Sequence, residues 1–256
     1  MKEFIVDEAA AKRYKRKSII AFVVFFAMIG LAWAGWKWLG NQPLDNGIRG
    51  GIPKPLRKVL DINEEVYSGL YSTKRLVKEY PKTAAAKKAR VNGDVGLGTD
   101  DFDPTAWKLQ IVKAAGDTLF LTMDEIKKLP KIDVVHNFKC IEGWSQITWW
   151  SGVRFSELIK KYGLNKETQM KYVGMNTPDE EYYVGIDMPS ILHPQTILAY
   201  ELNGKPLPMN QGYPLRLIIP VKYGVKHLKR IGTISFSNQK PPDYWAERGY
   251  DYYTGL

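Results

Sequence analysis

The sequence predicts a strand-rich α+β domain carried behind one membrane-crossing helix, and three observations predict it. Residues 19–36 carry no charge, and the apolar run continues past Lys37 to Leu39, close to the roughly 20 residues that a bilayer-spanning helix needs. Beyond Trp107, short stretches alternate apolar with polar residues between turn signals, the period-2 signature of half-buried strands. Only short runs at helical spacing interrupt them.

Composition narrows the possibilities. A chain of 256 residues holds one sizeable domain plus extras, and 45% apolar with 25% charged residues is the balance of a chain that folds. The net charge of +10 raises nucleic acid as a partner. Half of it, however, is Lys12, Arg13, Lys15, Arg16 and Lys17, one cluster beside the apolar run. The remainder is scattered without interleaved aromatic residues, so no nucleic-acid partner is expected. The single cysteine, Cys140, excludes an intrachain disulfide and any four-thiolate zinc or iron–sulfur site. Taken without its neighbours, a lone cysteine is a small buried hydrophobe.

The basic cluster precedes the apolar run, whereas only Lys37 and Arg49 follow it closely, which places the N-terminus in the cytoplasm and the large domain outside. Trp33, Trp36 and Trp38 suit the outer interface. A cleavable signal peptide is the rival, since Ala32-Trp33-Ala34 has the small-x-small pattern, but the run exceeds the roughly 7 to 15 residues of such peptides. The resulting division is a basic cytoplasmic tail over 1–17, a transmembrane helix over 18–40, a Gly-, Pro- and Asn-rich linker over 41–55, a helical lead-in over 56–90, and the main domain over 91–256.

In the lead-in, Asn63-Glu64-Glu65-Val66 reads as a helix start and residues 84–90 favour helix. Trp107, Leu109 and Ile111 alternate as in a strand. Thr122 and Glu125 form a capping-box pattern that opens a short helix closed by Pro130. Ile132, Val134, His136, Phe138 and Cys140 share one parity, so a strand would turn all five to one face. Phe155, Leu158, Ile159 and Tyr162 fall at helical spacing before Gly163. Further strands are expected over 171–175, 182–186, 197–202, 215–219 and 231–237, with a hairpin turn at Asn203-Gly204.

Generic catalytic signatures are missing: the sequence has no Walker loop, dinucleotide-binding glycine fingerprint, HExxH pair or GxSxG elbow. His136, His193 and His227 are too scattered to suggest a metal cage. More specific are Lys139-Cys140-Ile141-Glu142-Gly143-Trp144-Ser145, Lys171-Tyr172-Val173 leading to Thr177, residues 198–208 (LAYELNGKPLP), residues 212–220 (GYPLRLIIP), Lys222-Tyr223-Gly224 and His227-Leu228-Lys229. In this order they resemble the molybdopterin-binding domain of the sulfite oxidase superfamily, nearest to its bacterial periplasmic branch, the catalytic subunits of protein-methionine-sulfoxide reductase systems. The resemblance covers about residues 90–253.

That resemblance implies a sulfite-oxidase-type molybdopterin-binding fold and Mo-molybdopterin as cofactor, with the Cys140 thiolate as the one protein ligand to the metal. It implies cofactor contacts at Thr177, Gln211, Arg216, His227, Leu228 and Lys229, and a weaker one at Asn92. Arg216 and Lys229 have the chemistry for a phosphate, and the backbone amides at His227 and Leu228 could add donors. Tyr183, or its neighbour Tyr182, is the candidate for a tyrosine near the metal. Sulfite oxidases usually carry Arg directly before the upstream Asn, where this chain has Val91. Gln211 stands where relatives carry Asn or His.

The activity implied is therefore oxygen-atom transfer, with reduction of a sulfoxide, such as methionine sulfoxide in exported proteins, ahead of sulfite oxidation. A cofactor-free binding module on the same fold is the alternative from another class. No haem signature is apparent, so electrons would come from a separate membrane haem protein or cytochrome. The expected location is the inner membrane, single-pass, with the domain on the periplasmic side. Relatives leave the cytoplasm under a twin-arginine signal, and no Arg-Arg pair occurs near this N-terminus.

Overall fold

The computed structural model describes residues 8–45, 50–91, 93–98 and 102–256. The chain divides into two compact units, Met1–Val59 and Leu60–Leu256. In the first, helix α1 runs Glu8–Gly40 without a buried residue. Its 33 residues rise about 50 Å, and its apolar stretch is long enough to cross a membrane. In the linker, Leu44 bridges Pro53 and Arg57 pairs with Asp45 at 2.5 Å. The described part of the tether is thus folded back, not extended.

Helix α2 spans Lys54–Leu70, starting well before the expected cap, so Asn63 lies inside it. The anticipated helix over 84–90 does not form. Apart from the single 3-10 turn Lys82–Ala84 this stretch is irregular, because its backbone finds partners elsewhere. Tyr80 donates to Val135 O at 3.0 Å, Ala86 to Ile147 O at 3.0 Å, and Arg90 N to Gln146 Oε1 at 2.8 Å. Tertiary hydrogen bonds here outweigh a local helix preference worth only tenths of a kcal/mol per residue.

The second unit is built on two five-stranded sheets. One is ordered β2 (Thr118–Leu121), β1 (Leu109–Val112), β10 (Thr233–Ser237), β5 (Tyr172–Asn176), β6 (Tyr183–Asp187). The β1–β10 pair is parallel and the others are antiparallel. The other sheet runs β3 (Lys131–Lys139), β4 (Ser145–Arg154), β7 (Ile197–Leu202), β8 (Lys205–Pro206), with β9 (Arg216–Ile218) also pairing β7. Helix α3 (Met123–Lys127) is opened by the Thr122–Glu125 capping box. Helices α4 (Phe155–Lys161) and α5 (Met188–Ile191) follow β4 and β6.

Apolar residues of both sheets, among them Leu109, Ile111, Val153, Val173, Leu198, Leu217 and Ile234, form the main core. A smaller cluster of Val134, Trp150, Ile197, Ala199 and Ile218 packs the second sheet elsewhere. The β3–β4 hairpin is the element that positions the single cysteine. Its register, His136 opposite Thr148 and Lys139 opposite Ser145, ends in a turn where Gly143 N donates to Cys140 O at 3.1 Å and Cys140 N to Trp144 O at 2.9 Å. Gly143 sits at φ +88°, the left-handed position that closes a three-residue hairpin loop. Cys140 is thereby fixed at the tip of a nine-residue strand.

At the other end of β4, a register shift falls between Ser151 and Gly152. A Cβ on Gly152 would lie 2.1 Å from Leu198 O, and backbone cannot move aside as a flexible side chain would. Gly152→Ala should therefore cost about 3 kcal/mol, the upper end of the overpacking range, measured by chemical denaturation of the soluble domain.

Candidate active site

Cys140 is 5% exposed and borders a cavity of about 140 Å³. Five segments close on it. Ile141 and Glu142 come from the hairpin turn, Val225, His227 and Lys229 from the chain after β9, Gly93, Asp94 and Val95 from the lead-in, and Tyr182, Trp245 and Tyr250 supply aromatic walls. Burial pushes the Cys140 thiol up from its ordinary value, and the Glu142 carboxylate adds to the shift. Deprotonation therefore needs a cationic partner, which a bound metal supplies.

A second, small space of about 10 Å³ is lined by Arg90, Phe138, Trp144, Trp150, Gln211 and Arg216. Arg90 stacks on Trp144 at 4.5 Å, Trp144 on Phe138 at 5.8 Å, and Phe138 meets His227 edge-on at 4.8 Å. The stack links the two spaces.

Arg216 is 1% exposed. Its Nη1 donates to Gln211 Oε1 at 2.8 Å and to Gln211 O at 3.1 Å, and its Nη2 to His227 O at 3.3 Å. Among the described residues Nε has no partner and no carboxylate faces the guanidinium: burial pulls its pKa down to about 9. Trp150 lies 4.5 Å beneath the guanidinium, worth about 2 kcal/mol when desolvated. A buried unpaired charge costs several kcal/mol even after relaxation, so the ring does not offset it.

Nearby, both ring nitrogens of His136 and Nδ1 of His227 are also buried without partners among the described residues. The two rings stack at 6.0 Å. Burial holds His136 down to about 3, with Arg216 adding to the shift, and keeps His227 well below its usual range. Lys229, whose Nζ donates to Gly93 O at 2.7 Å, is lowered to about 7 by burial and by Arg216. The chemistry that fits these groups is an anion bearing several hydrogen-bonding atoms, next to a metal that takes sulfur. A phosphate-bearing pterin with a thiolate-ligated metal satisfies both.

The largest cavity is elsewhere. It holds about 450 Å³ between Tyr71, Tyr172, Tyr253 and Met188. Its charges are already matched, Asp187 to Lys222 at 2.8 Å and Glu64 to Lys240 at 2.7 Å. It contains no thiol, and size alone does not make it the reaction site.

Several expected contacts are placed differently. Asn92 lies outside the described residues. The Thr177 hydroxyl closes its own turn, donating to Asp179 Oδ1 at 2.5 Å and accepting from Tyr182 N at 3.2 Å. Leu228 is core. Its amide donates to Lys226 O at 3.0 Å and that of His227 to Gly224 O at 3.1 Å, so neither backbone donor is available to a ligand in this conformation. Of the two tyrosines, Tyr182 lines the cavity. Tyr183 begins β6 and hydrogen-bonds Glu247, and strand alternation turns neighbouring side chains to opposite faces. Sequence reasoning missed Trp245 and Tyr250, which come from an irregular C-terminal segment with no periodicity to read. It also set His136 aside as structural.

A buried thiol at a cavity, near an arginine that no carboxylate among the described residues offsets, on a two-sheet scaffold, fits the class of oxidoreductases that hold a metal through a pterin. The family described as "oxidoreductase molybdopterin binding domain" matches residues 96–245. A relative from Azospira oryzae, YedZ1, named as a candidate protein-methionine-sulfoxide reductase subunit, is 34% identical over 194 residues, covering 75% of this chain and 73% of that one. The protein-methionine-sulfoxide reductase catalytic subunit MsrP of Xanthomonas campestris is 29% identical over 217 residues, covering 76% of this chain and 66% of its own length, slightly under two thirds. The sulfane dehydrogenase SoxCD of Paracoccus pantotrophus shares the fold, with a TM-score of 0.50 at 18% identity over 56% of this chain and 41% of that one. The chain belongs to the oxidoreductase molybdopterin-binding domain family. It is accordingly an oxidoreductase whose cofactor is molybdopterin.

The buried histidines give the fold a pH signature. Their folded pKa values lie below the ordinary 6.5, so the unfolded chain binds more protons in between, and stability is full above about pH 6.5 and lost on acidification towards pH 3. Each contributes up to about 1.4 kcal/mol per pH unit. His136→Phe should remove one such increment from the slope, read from urea denaturation between pH 6 and 4.

Proposed function

We propose that this oxidoreductase reduces a sulfoxide, such as methionine sulfoxide in exported proteins. It would act from a single N-terminal anchor in the inner membrane, with its domain on the periplasmic side and electrons supplied by a separate membrane haem protein. The observation that carries the substrate reading is the cavity wall beside Cys140. Beside the charged Asp94, Glu142 and Lys229, six residues, Val95, Ile141, Tyr182, Val225, Trp245 and Tyr250, form an apolar and aromatic part of that wall. Such a surface suits a methyl thioether, whose sulfur gains from contact with rings, better than a compact sulfite anion. Val91, where sulfite-oxidising relatives carry Arg, points the same way. The uncharged α1 stretch with its basic flank supports the anchor and its orientation.

The residues divide the work. Cys140 would hold the metal through its thiolate. Arg216 and Lys229 would hold the anionic end of the pterin, with Gln211 and His227 orienting it. When bound, the molybdenum–pterin group supplies the two-electron oxygen-atom transfer. In that reaction a sulfoxide, two electrons and two protons give a thioether and water. The Tyr182 hydroxyl donates to Val225 O at 2.6 Å and burial pushes its pKa up, so it stays protonated and fixes the wall.

Purified full-length protein should contain molybdenum and pterin, reduce methionine sulfoxide with an artificial electron donor, and show less activity as a sulfite oxidase. Cys140→Ser should abolish turnover while leaving the circular dichroism spectrum unchanged. Turnover of sulfite alone would overturn the substrate assignment, and full activity in Cys140→Ser would overturn the metal ligand. Loss of a sulfur–aromatic contact costs about 0.3–1.5 kcal/mol, so Trp245→Ala should raise KM for the sulfoxide about two- to tenfold with molybdenum content preserved.

A further inference from the structure

Two carboxylates stand on the solvent-exposed side of the Cys140 cavity. Glu142 and Asp94 stand on two different walls of it, and both are exposed. Glu142 is held in place, its Oε2 accepting from Trp144 Nε1 at 2.8 Å, and its charge reaches the Cys140 sulfur. Glu180 and Glu181, also exposed, lie in the turn that delivers Tyr182 to the wall.

Cations stand close by and offset these carboxylates in part: Arg90 stacks on the Trp144 that holds Glu142, and Asp94 acts on Lys229. Lys229 reaches Gly93 O, and Arg248 lies over the Tyr244 ring at 3.5 Å with its Nη1 donating to Tyr244 O at 2.8 Å. In a protein of net charge +10, an acidic approach to the reaction site is not what composition alone would produce. The carboxylates do not define the site, which Cys140 and its cavity define independently. They set the potential through which a substrate must pass.

We infer that Glu142 and Asp94 are specificity-determining residues, selecting polypeptide sulfoxides flanked by Lys or Arg and disfavouring those flanked by carboxylates. This rests on the proposed sulfoxide reduction and deepens it: the substrate is a segment of protein with positive neighbours, and the flanking residues stay at the mouth while the neutral sulfoxide enters. Because both carboxylates are exposed, the selection is of modest size and screened by salt.

The test uses full-length holoenzyme and three blocked tripeptides with methionine sulfoxide at the centre, flanked by two lysines, two alanines or two glutamates. At low ionic strength kcat/KM should fall in that order, with about tenfold between the lysine and glutamate peptides, carried mainly by KM. The spread should shrink to about twofold at 0.5 M salt, where charges more than about 4 Å apart are largely screened. It should shrink likewise in Glu142→Gln/Asp94→Asn with molybdenum content verified. Equal rates on all three peptides, or a spread that persists in the double variant, would overturn this inference while leaving sulfoxide reduction standing. Failure to reduce any of them, with sulfite turned over, would remove both.

Discussion

A buried guanidinium that no carboxylate among the described residues neutralises is the constraint around which the site is arranged. Arg216 opens β9, which pairs with β7, with Trp150 beneath it and carbonyl oxygens of Gln211 and His227 around it. Burial keeps His136 and His227 neutral and lowers Lys229, the Arg216 charge adds to each shift, and its Nε is directed at no protein atom among the described residues. A fold that relied on its own residues alone would gain by replacing this arginine with an apolar residue. The arrangement would make energetic sense with an anionic ligand as the missing partner, the role proposed for the phosphate of molybdopterin.

Much of this was legible in the sequence, for reasons that differ from residue to residue. The parity of Val134, His136, Phe138 and Cys140 gives the strand and the face, because alternation along a strand is geometric and depends little on context. The Thr122–Glu125 box and the Asn203-Gly204 hairpin are local too, written in residues that touch one another. The helix expected over 84–90 fails on the opposite ground. Its fate is decided by carbonyls of β3 and β4 some fifty residues further on, and no local propensity encodes them.

The site divides in the same way. Cys140, Gln211, Arg216 and Lys229 belong to motifs whose residues lie close together in the chain, so the order of the motifs nominates them as the proposed cofactor contacts. Trp245 and Tyr250 reach the cavity because Asp243, paired with Lys226 at 2.5 Å, pins an otherwise irregular segment against the 3-10 turn Gly224–Lys226. That docking depends on a buried ion pair between residues with no pattern to announce it. The choice between Tyr182 and Tyr183 turns on a single residue of register, the shift that moves a side chain from one face of a strand to the other.

One chain can hold an anion at the bottom of a cleft and present carboxylates at its mouth because the two regions differ in dielectric response. Around Arg216 and the two histidines water is excluded, so each charge acts at nearly full strength, and a phosphate placed there is held by a potential that salt cannot screen. At Glu142 and Asp94 the side chains are solvated, and the same unit charge is worth several-fold less. Binding of the cofactor is therefore insulated from the sign of the entrance. The entrance can be shaped by the substrate without disturbing the floor, and Cys140, at the tip of a rigid hairpin between them, is the point where the two environments meet.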